Sequence, residues 1–254
     1  MKEIHMKHKF SRSGFSVLSG LLLCAVSVLA QELQPIALPP PQKTGGMPLM
    51  EALAARQTIR SFSDAKLPTQ VLSNLLWAAF GVNREVGPRG KAGRTAPSAM
   101  NMQEIDLYVA MPEGMYLYEA VPHQLTLVAA KDIRPIASRR PEWAKASVIL
   151  IYVADTDKRP APRPQGPPPG TPPVAPPSGT LSQGQPPAGA PPPSFGEVDC
   201  GFIGQNVYMF CASEKLATCF HGTDKEGLAK VMNLREAQKV LYAQTVGYPA
   251  EQKQ

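Results

Sequence analysis

The feature that most constrains the fold of this chain is a proline-rich segment that runs from Pro160 to Ser194. About half of the 28 prolines in the 254 residues lie there, and glycine and serine supply much of the remainder. Such a segment lacks the apolar side chains and backbone donors that a core requires. It predicts an exposed, polyproline-like insertion at 160–194, so the folded domain must be assembled from the residues on either side.

The first thirty residues are typical of a secretory signal peptide. A basic start precedes an apolar run of about 16 residues, and Val28 and Ala30 occupy the small-residue cleavage positions before Gln31. We expect cleavage near Gln31, export to the periplasm and no membrane span in the mature protein. An uncleaved membrane anchor is the alternative, since the run is only a little shorter than the roughly 20 residues that cross a bilayer.

The remaining composition indicates one globular domain. Residues 31–46 are proline-rich and lack periodicity, which predicts an extended lead-in to a domain spanning 47–254. Half of the net charge of +6 belongs to the first thirty residues, and no basic cluster is interleaved with aromatics, so the balance excludes nucleic-acid binding. The mature cysteines have no zinc-type spacing, and we expect buried thiols at Cys200, Cys211 and Cys219.

Hydrophobic periodicity predicts helices and strands in an order that gives an α+β fold. Continuous or alternating apolar runs predict an antiparallel meander, a central strand and a last strand, at 105–111, 114–120, 124–128, 147–155 and 242–249. Helical spacing predicts a helix at 48–58 that ends near Thr58, a helix at 67–80 that ends at Gly81, and a partly helical segment at 132–147. It also predicts a buried central helix at 197–220 and a last helix at 224–241 with a break at Asn233. Residues 81–101 read as a loop. Helices therefore cover an antiparallel-rich sheet.

Three short stretches carry residues suited to ligand binding. Arg56, Thr58 and Arg60 are spaced by two, and two guanidiniums with a hydroxyl can hold a phosphate. The stretch RTAPSAMNMQ offers neutral donors and acceptors for the edge of a heterocycle. In LATCFHG a glycine follows the end of the predicted buried helix and exposes backbone amides.

The order of these motifs resembles the nitroreductase-like FMN flavoenzymes, most closely the SagB-type dehydrogenase branch. The resemblance runs from about residue 47 to residue 250 and is strongest in LSNLLWAAFGVNR and RTAPSAMN. It implies a homodimer of α+β subunits with an FMN at each of two sites along the interface. A metal is not implied.

The resemblance also assigns roles to single residues. Arg56, Gln57, Thr58 and Arg60 are implied to hold the FMN phosphate and ribityl chain. The backbone amides of His221 and Gly222 are implied to face the flavin N5 and O4 edge, with the His221 ring expected in solvent. Lys253 is the one candidate for the basic phosphate contact that the family has after VGYP. The residues implied to cover the isoalloxazine ring from the neighbouring subunit are Pro97, Ser98, Ala99 and Asn101, with Arg94 as a companion.

The implied activity is that of an FMN-dependent oxidoreductase that transfers hydride through flavin N5 by a ping-pong mechanism. A small molecule is the substrate, and NADH or NADPH is a transient electron donor. The insertion occupies the place of a Lys/Tyr/Arg-rich stretch of the SagB-type branch, so azoline oxidation is not implied. The alternatives are a catalytically degenerate flavin-binding dimer that acts as an exported adaptor through its proline-rich arm and, in third place, a secreted structural protein.

Overall fold

A computed structural model describes residues 35–159 and 195–251. The predicted signal peptide, the start of the lead-in, the proline-rich insertion and Lys253 lie outside the described residues. Seven strands form one sheet in which all neighbours are antiparallel, in the order β1-β6-β5-β4-β7-β9-β8. These strands are β1 (Ile36–Ala37), β4 (Ile105–Met111), β5 (Gly114–Glu119), β6 (Gln124–Ala129), β7 (Val148–Asp155), β8 (Ala217–His221) and β9 (Gln238–Gly247).

A two-stranded hairpin and five α-helices complete the described part of the chain. The hairpin pairs β2 (Val82–Arg84) with β3 (Gly93–Arg94). The helices are α1 (Leu49–Ala55), α2 (Thr69–Phe80), α3 (Arg134–Ala137), α4 (Gly196–Ser213) and α5 (Lys225–Val231). The predicted α+β class, with helices covering an antiparallel sheet, is confirmed.

The sheet lies between two layers of helices. Every residue of β7 is buried, because the strand lies inside the sheet and both of its faces are covered. Alternate residues of β7 enter different cores. Leu150 and Tyr152 pack towards α2 and α4, whereas Ile149 and Ile151 pack towards α3 and α5.

Helix α4 lies close against the sheet. A Cβ atom on Gly204 would lie 2.8 Å from Cδ2 of Phe220 on β8, so only glycine permits this approach. A buried polar network joins the same elements: the Tyr152 hydroxyl donates to Oε1 of Gln244 at 2.6 Å, and Nε2 of Gln244 donates to Oγ1 of Thr218 at 3.1 Å. The helix is therefore fixed in position along β8.

Three helices end earlier than predicted: α1, α5 and also α4, which ends at Ser213 rather than at 220. Helix α1 ends at Ala55 rather than near Thr58, because Arg56 adopts an extended backbone with ψ 121°. Helix α5 ends at Val231, and the left-handed backbone of Asn233 (φ 49°) separates it from β9, which starts at Gln238 where the helix was predicted to continue. The end of α2 before Gly81 is confirmed.

Four strands form where none was predicted. Both strands of the β2–β3 hairpin lie in the stretch read as a loop, and β8 lies in LATCFHG, which was read as the end of a helix. The lead-in also contributes, since β1 pairs with the edge of β6 and Leu38 is buried. The packed structure thus begins about ten residues before Met47.

Helix α4 is only partly buried, contrary to the sequence prediction. Val198, Phe202 and Gln205 follow one another at helical spacing on an exposed stripe. Helix α1, which packs beside α4, also exposes Leu49, Met50 and Leu53. These two neighbouring helices therefore both expose apolar side chains.

The described helices contain none that is long and apolar enough to cross a membrane. Cys200, Cys211 and Cys219 are buried free thiols, as predicted. Burial raises the pKa of each thiol above its ordinary value. These thiols are therefore protonated packing groups.

Candidate functional site

One part of the candidate site lies along β8, the strand at one edge of the sheet. After Arg56 the chain runs beside this strand, where the Ile59 amide donates to the Thr218 carbonyl at 3.1 Å. It continues to a bridge between Phe62 and Pro249, just beyond β9. The arginine-containing segment thereby covers part of the free edge of β8.

Tyr208 of α4 connects this segment to the strand. Its hydroxyl lies 3.1 Å from Oγ1 of Thr58 and accepts a hydrogen bond from the Phe220 amide at 3.0 Å. The guanidinium of Arg56 lies 5.5 Å from the centroid of the Tyr208 ring, a cation–π contact. Arg56 and Thr58 are half-buried here, whereas Gln57 is exposed.

The direction of the backbone groups on β8 follows from its pairing. In an edge strand, alternate residues bond to the neighbouring strand, and those between them direct their N–H and C=O groups outward. The outward set contains Thr218 and Phe220, which bond to groups outside the sheet. Gly222 lies just past the end of β8. Its amide has no hydrogen-bond acceptor among the residues of 35–159 and 195–251, whereas its carbonyl oxygen is turned towards the His221 ring. His221 belongs to the set that faces β9, so of the two amides implied to meet the flavin, only that of Gly222 is left without an acceptor in the described ranges.

The ring of His221 is buried rather than solvated, contrary to the sequence expectation. Its Nδ1 lies 2.8 Å from the Gly222 carbonyl oxygen, and its Nε2 lies 2.8 Å from Oγ1 of Thr245. Because a carbonyl can only accept, Nδ1 carries the proton and Nε2 accepts from the threonine. Burial lowers the pKa of His221, and the nearby charge of Arg139 lowers it further, so the ring is neutral. The ring thereby holds the Gly222 carbonyl, in the peptide unit that follows the Gly222 N–H.

Two further arginines reach this edge from the connection between α3 and β7. Nη1 of Arg139 lies 3.4 Å from the position that a Cβ atom on Gly222 would occupy. The guanidinium of Arg140 lies 5.4 Å from the Trp143 ring centroid. Arg60 and Arg140 both act electrostatically on Cys219, whose thiol pKa is nevertheless raised by burial. Sequence reasoning missed Arg139 and Arg140, although the consecutive pair in SRRPEW was a visible signal.

Trp143 forms a rigid base for this group. Its ring contacts those of His221 and Phe62, with centroid separations of 5.1 and 6.2 Å. The residue is only 3% exposed, yet its indole Nε1 has no hydrogen-bond partner among the described residues. Among the described residues, two N–H donors close to β8 therefore lack an acceptor: the backbone amide of Gly222 and the buried indole of Trp143.

The second part of the candidate site is a turn after β3. The structure brings four predicted site residues to one cavity of about 400 Å³, which is lined by Arg84, Pro88, Arg94, Ala96, Pro97, Ser98, Met100 and Asn101. Three non-glycine residues of this turn have left-handed backbones: Met100 (φ 51°), Asn101 (φ 52°) and Gln103 (φ 54°). Such conformations are strained and need support from their surroundings.

Side-chain hydrogen bonds supply that support. Oγ of Ser98 accepts from the backbone N–H of Gln103 at 2.8 Å, and the side-chain Nε2 of Gln103 donates to Oδ1 of Asn101 at 2.8 Å. Nε of Arg94 donates to Oε1 of Gln103 at 2.8 Å, and burial lowers the pKa of Arg94. The polar groups of this turn are therefore largely engaged with one another.

Helix α4 carries both parts of the candidate site, at different points along its length. Oδ1 of Asp199 accepts from the Ala99 amide at 3.2 Å, and burial raises the pKa of the Asp199 carboxyl. Tyr208, which holds Arg56 and Thr58, lies nine residues further along the helix. At 1.5 Å per residue the two attachment points are about 13 Å apart along the axis. One protomer does not bring the two parts together.

The comparisons with known proteins agree on one family. The model of the Nitroreductase family matches residues 53–248. A curated protein from Methanocaldococcus jannaschii, described as a candidate nitroreductase, is 28% identical over 128 residues, which cover 43% of this chain and 58% of that protein. The match thus spans little more than half the length of that relative.

Solved structures give the same result over more of the chain. A candidate nitroreductase from Ralstonia eutropha JMP134 is 34% identical, with 85% of this chain and 90% of that chain covered and a TM-score of 0.66. A chain of the E. coli microcin synthetase McbBCD complex is 16% identical, with 96% and 85% covered and a TM-score of 0.53, a likeness of fold alone. Fold, family model and sequence identity together show that this chain belongs to the nitroreductase family.

Proposed function

We propose that this protein is an FMN-dependent oxidoreductase in which the amide of Gly222 faces the reactive edge of the flavin. The observation that carries the proposal is the unpaired Gly222 N–H on the free edge of β8, with Arg56, Arg60 and Arg139 around the same strand. These groups are all hydrogen-bond donors. Such a set favours an acceptor-rich, negatively charged ligand.

The donor set fits FMN. Arg56 supplies a guanidinium for a phosphate and shares the Tyr208 contact with the Thr58 hydroxyl, and Arg60 supplies a second guanidinium close to Cys219. The unpaired amide of Gly222 supplies a donor for the heterocycle. Lys253, the remaining candidate for a phosphate contact, lies outside the described residues and stays a prediction.

The residues of this chain prepare the site for charge. When bound, FMN supplies two-electron chemistry by exchanging hydride at N5, with donor and acceptor reacting in turn. The Gly222 amide stabilises negative charge at the edge it faces, because it is fixed before reaction and needs no reorganisation. The neutral ring of His221 donates from Nδ1 to the Gly222 carbonyl, so it holds the backbone on the C-terminal side of the Gly222 amide.

We propose that the complete site needs a second copy of the chain. Phe202 lies near the middle of the span from Asp199 to Tyr208 and is 44% exposed. If α4 packs antiparallel against its symmetry mate near Phe202, the Pro97–Asn101 turn of one subunit is brought towards Arg56 of the other. The exposed apolar residues of α1 and α4 suit such an interface.

Within the family we place the chain in the SagB-type dehydrogenase branch, on the strength of RTAPSAMN and LSNLLWAAFGVNR. The likeness of fold to a chain of the McbBCD complex is consistent with this placement. We further propose export after cleavage near Gln31, and NADH or NADPH as a transient donor. A quinone or nitroaromatic acceptor is the small-molecule class to test first.

The absorbance spectrum of the purified protein tests the cofactor. We expect a yellow protein with flavin bands that bleach on addition of NADH or NADPH and return with a quinone. A mature-length preparation that stays colourless after incubation with FMN would refute the proposal. A yellow protein that no reductant or acceptor turns over would instead support the degenerate flavin-binding dimer.

A further inference from the structure

We infer that Arg139 and Arg140 form an anion-binding subsite that selects small carboxylate-bearing substrates at the Gly222 edge. This inference rests on the proposed function, because it assumes that Arg56, Arg60 and the Gly222 amide serve the cofactor. The two arginines come from a different connection, between α3 and β7, and reach the same edge from that side.

The first argument is the charge balance around the two guanidiniums. Arg139 is exposed and forms no ion pair with an acidic side chain of the described residues. Arg140 has one such partner, Glu142 at 3.7 Å, and both side chains are about 60% exposed. An exposed pair of this kind contributes little, so Arg140 keeps most of its capacity for another anion.

The second argument is position. Nη1 of Arg139 lies 3.4 Å from where a Cβ atom on Gly222 would stand, so the guanidinium lies next to Gly222 with no side chain between them. The influence of Arg139 on the pKa of His221 is consistent with this proximity. An anion bound by Arg139 would therefore lie beside the proposed reactive edge.

The third argument is rigidity. Arg140 lies over the ring of Trp143, which is buried and packed against His221 and Phe62. The indole N–H of Trp143 is a further buried donor without a partner in the described part of the chain. A carboxylate suits this set because arginine offers it two parallel N–H donors in one plane.

Equilibrium binding to the flavin-containing protein tests the inference without turnover. Benzoate is titrated while the flavin absorbance is followed, and benzamide serves as the neutral isostere. We expect benzoate to perturb the spectrum and benzamide not to do so. In Arg139→Met/Arg140→Met the Kd for benzoate should rise at least about tenfold, the lower end of what a charge-assisted hydrogen bond contributes.

Two controls are needed. The first tests whether the loss of any positive charge from this connection weakens benzoate binding, and the second tests whether the two arginines bind the FMN phosphate instead. Lys145→Met removes an exposed positive charge from the same connection and should leave the benzoate Kd within about twofold. The preference of the apoprotein for FMN over riboflavin should be unchanged in the double arginine variant. A loss of that preference would place the two arginines at the FMN phosphate and overturn the inference.

The remaining outcomes are equally decisive. Equal binding of benzoate and benzamide, or an unchanged benzoate Kd in the double variant, would overturn the inference while leaving the flavin assignment intact. If the protein binds no flavin, the proposed function fails, and the titration is read by the fluorescence of Trp143, with Trp143→Phe as its control. Arginine-dependent quenching by benzoate would then still support the anion subsite.

Discussion

The two parts of the candidate site are built in opposite ways. Along β8 the backbone is regular, and donors such as the Gly222 amide and the Trp143 indole have no partner among the described residues. In the turn after β3 the backbone is strained at Met100, Asn101 and Gln103, and the polar side chains bond to one another. The first arrangement leaves donors free for a ligand, and we call it the open part. The Pro97–Asn101 turn is already held by its own hydrogen bonds, and we call it the wall.

The largest effect should come from the open part. Arg56→Ala/Arg60→Ala removes two guanidiniums proposed to hold the FMN phosphate. FMN affinity should fall by at least about 1.5–3 kcal/mol, the contribution of one charged hydrogen bond, as measured by calorimetric titration of the apoprotein. Riboflavin, which lacks the phosphate, is the control ligand and should bind both proteins alike. Unchanged FMN affinity would mean that the phosphate lies elsewhere.

The second effect concerns the anchor of the wall. Asp199→Ala leaves the Ala99 amide without its acceptor, so the turn should be loosened by about 1 kcal/mol. Hydrogen exchange at the Ala99 amide measures this directly and should be faster by about fivefold. Asp199→Asn keeps the acceptor oxygen and is the matched control. Equal exchange in the alanine variant and the wild type would show that Asp199 does not anchor the turn.

The buried histidine of the open part should make the stability of the protein depend on pH. The pKa of His221 is lowered in the folded state, so its neutral form favours folding. That contribution is complete above the ordinary histidine pKa of about 6.5 and is lost as pH falls from there towards the lower folded value. Urea denaturation between about pH 7.5 and 5 should show the wild type losing more stability than His221→Gln. Parallel pH profiles would contradict a depressed pKa.

The smallest effect should come from relieving strain in the wall. Met100 is 49% exposed and has φ 51°, so Met100→Gly should stabilise the fold by about 0.5–1 kcal/mol. Met50→Gly, at an exposed position in α1, should instead destabilise by about the same amount. Urea denaturation measures both. If both variants are destabilised alike, the turn is not strained.

How much of the fold could be predicted from sequence depended on the length of each pattern. The twelve-residue helix α2 and the eight-residue strand β7 carry long apolar patterns, and both were predicted. Strand β8 was missed because its five residues are separated from the end of α4 by only three residues and show no regular alternation of apolar and polar residues. The hairpin of β2 and β3 was missed because its strands have only three and two residues.

The candidate site was predictable only where its residues share a motif. Arg56, Thr58 and Arg60 lie in one short stretch, as do the residues of the Pro97–Asn101 turn. Arg139 reaches Gly222 only through the packing of a connection about eighty residues away in sequence, which spacing does not reveal. That the His221 amide faces β9, whereas the Gly222 amide has no acceptor among the described residues, depends on the pairing of β8 with β9, and it too required the structure.

The most direct test of the account asks whether the open part and the wall of one site come from different subunits. Arg56→Ala/Arg60→Ala and Ser98→Ala/Asn101→Ala are each expected to bind FMN weakly at limiting concentration. When the two variants are unfolded together and refolded, half of the dimers are mixed, and each mixed dimer has one intact site. We predict recovery of tight FMN binding at about a quarter of all sites. No recovery, with dimers formed normally, would contradict the shared site.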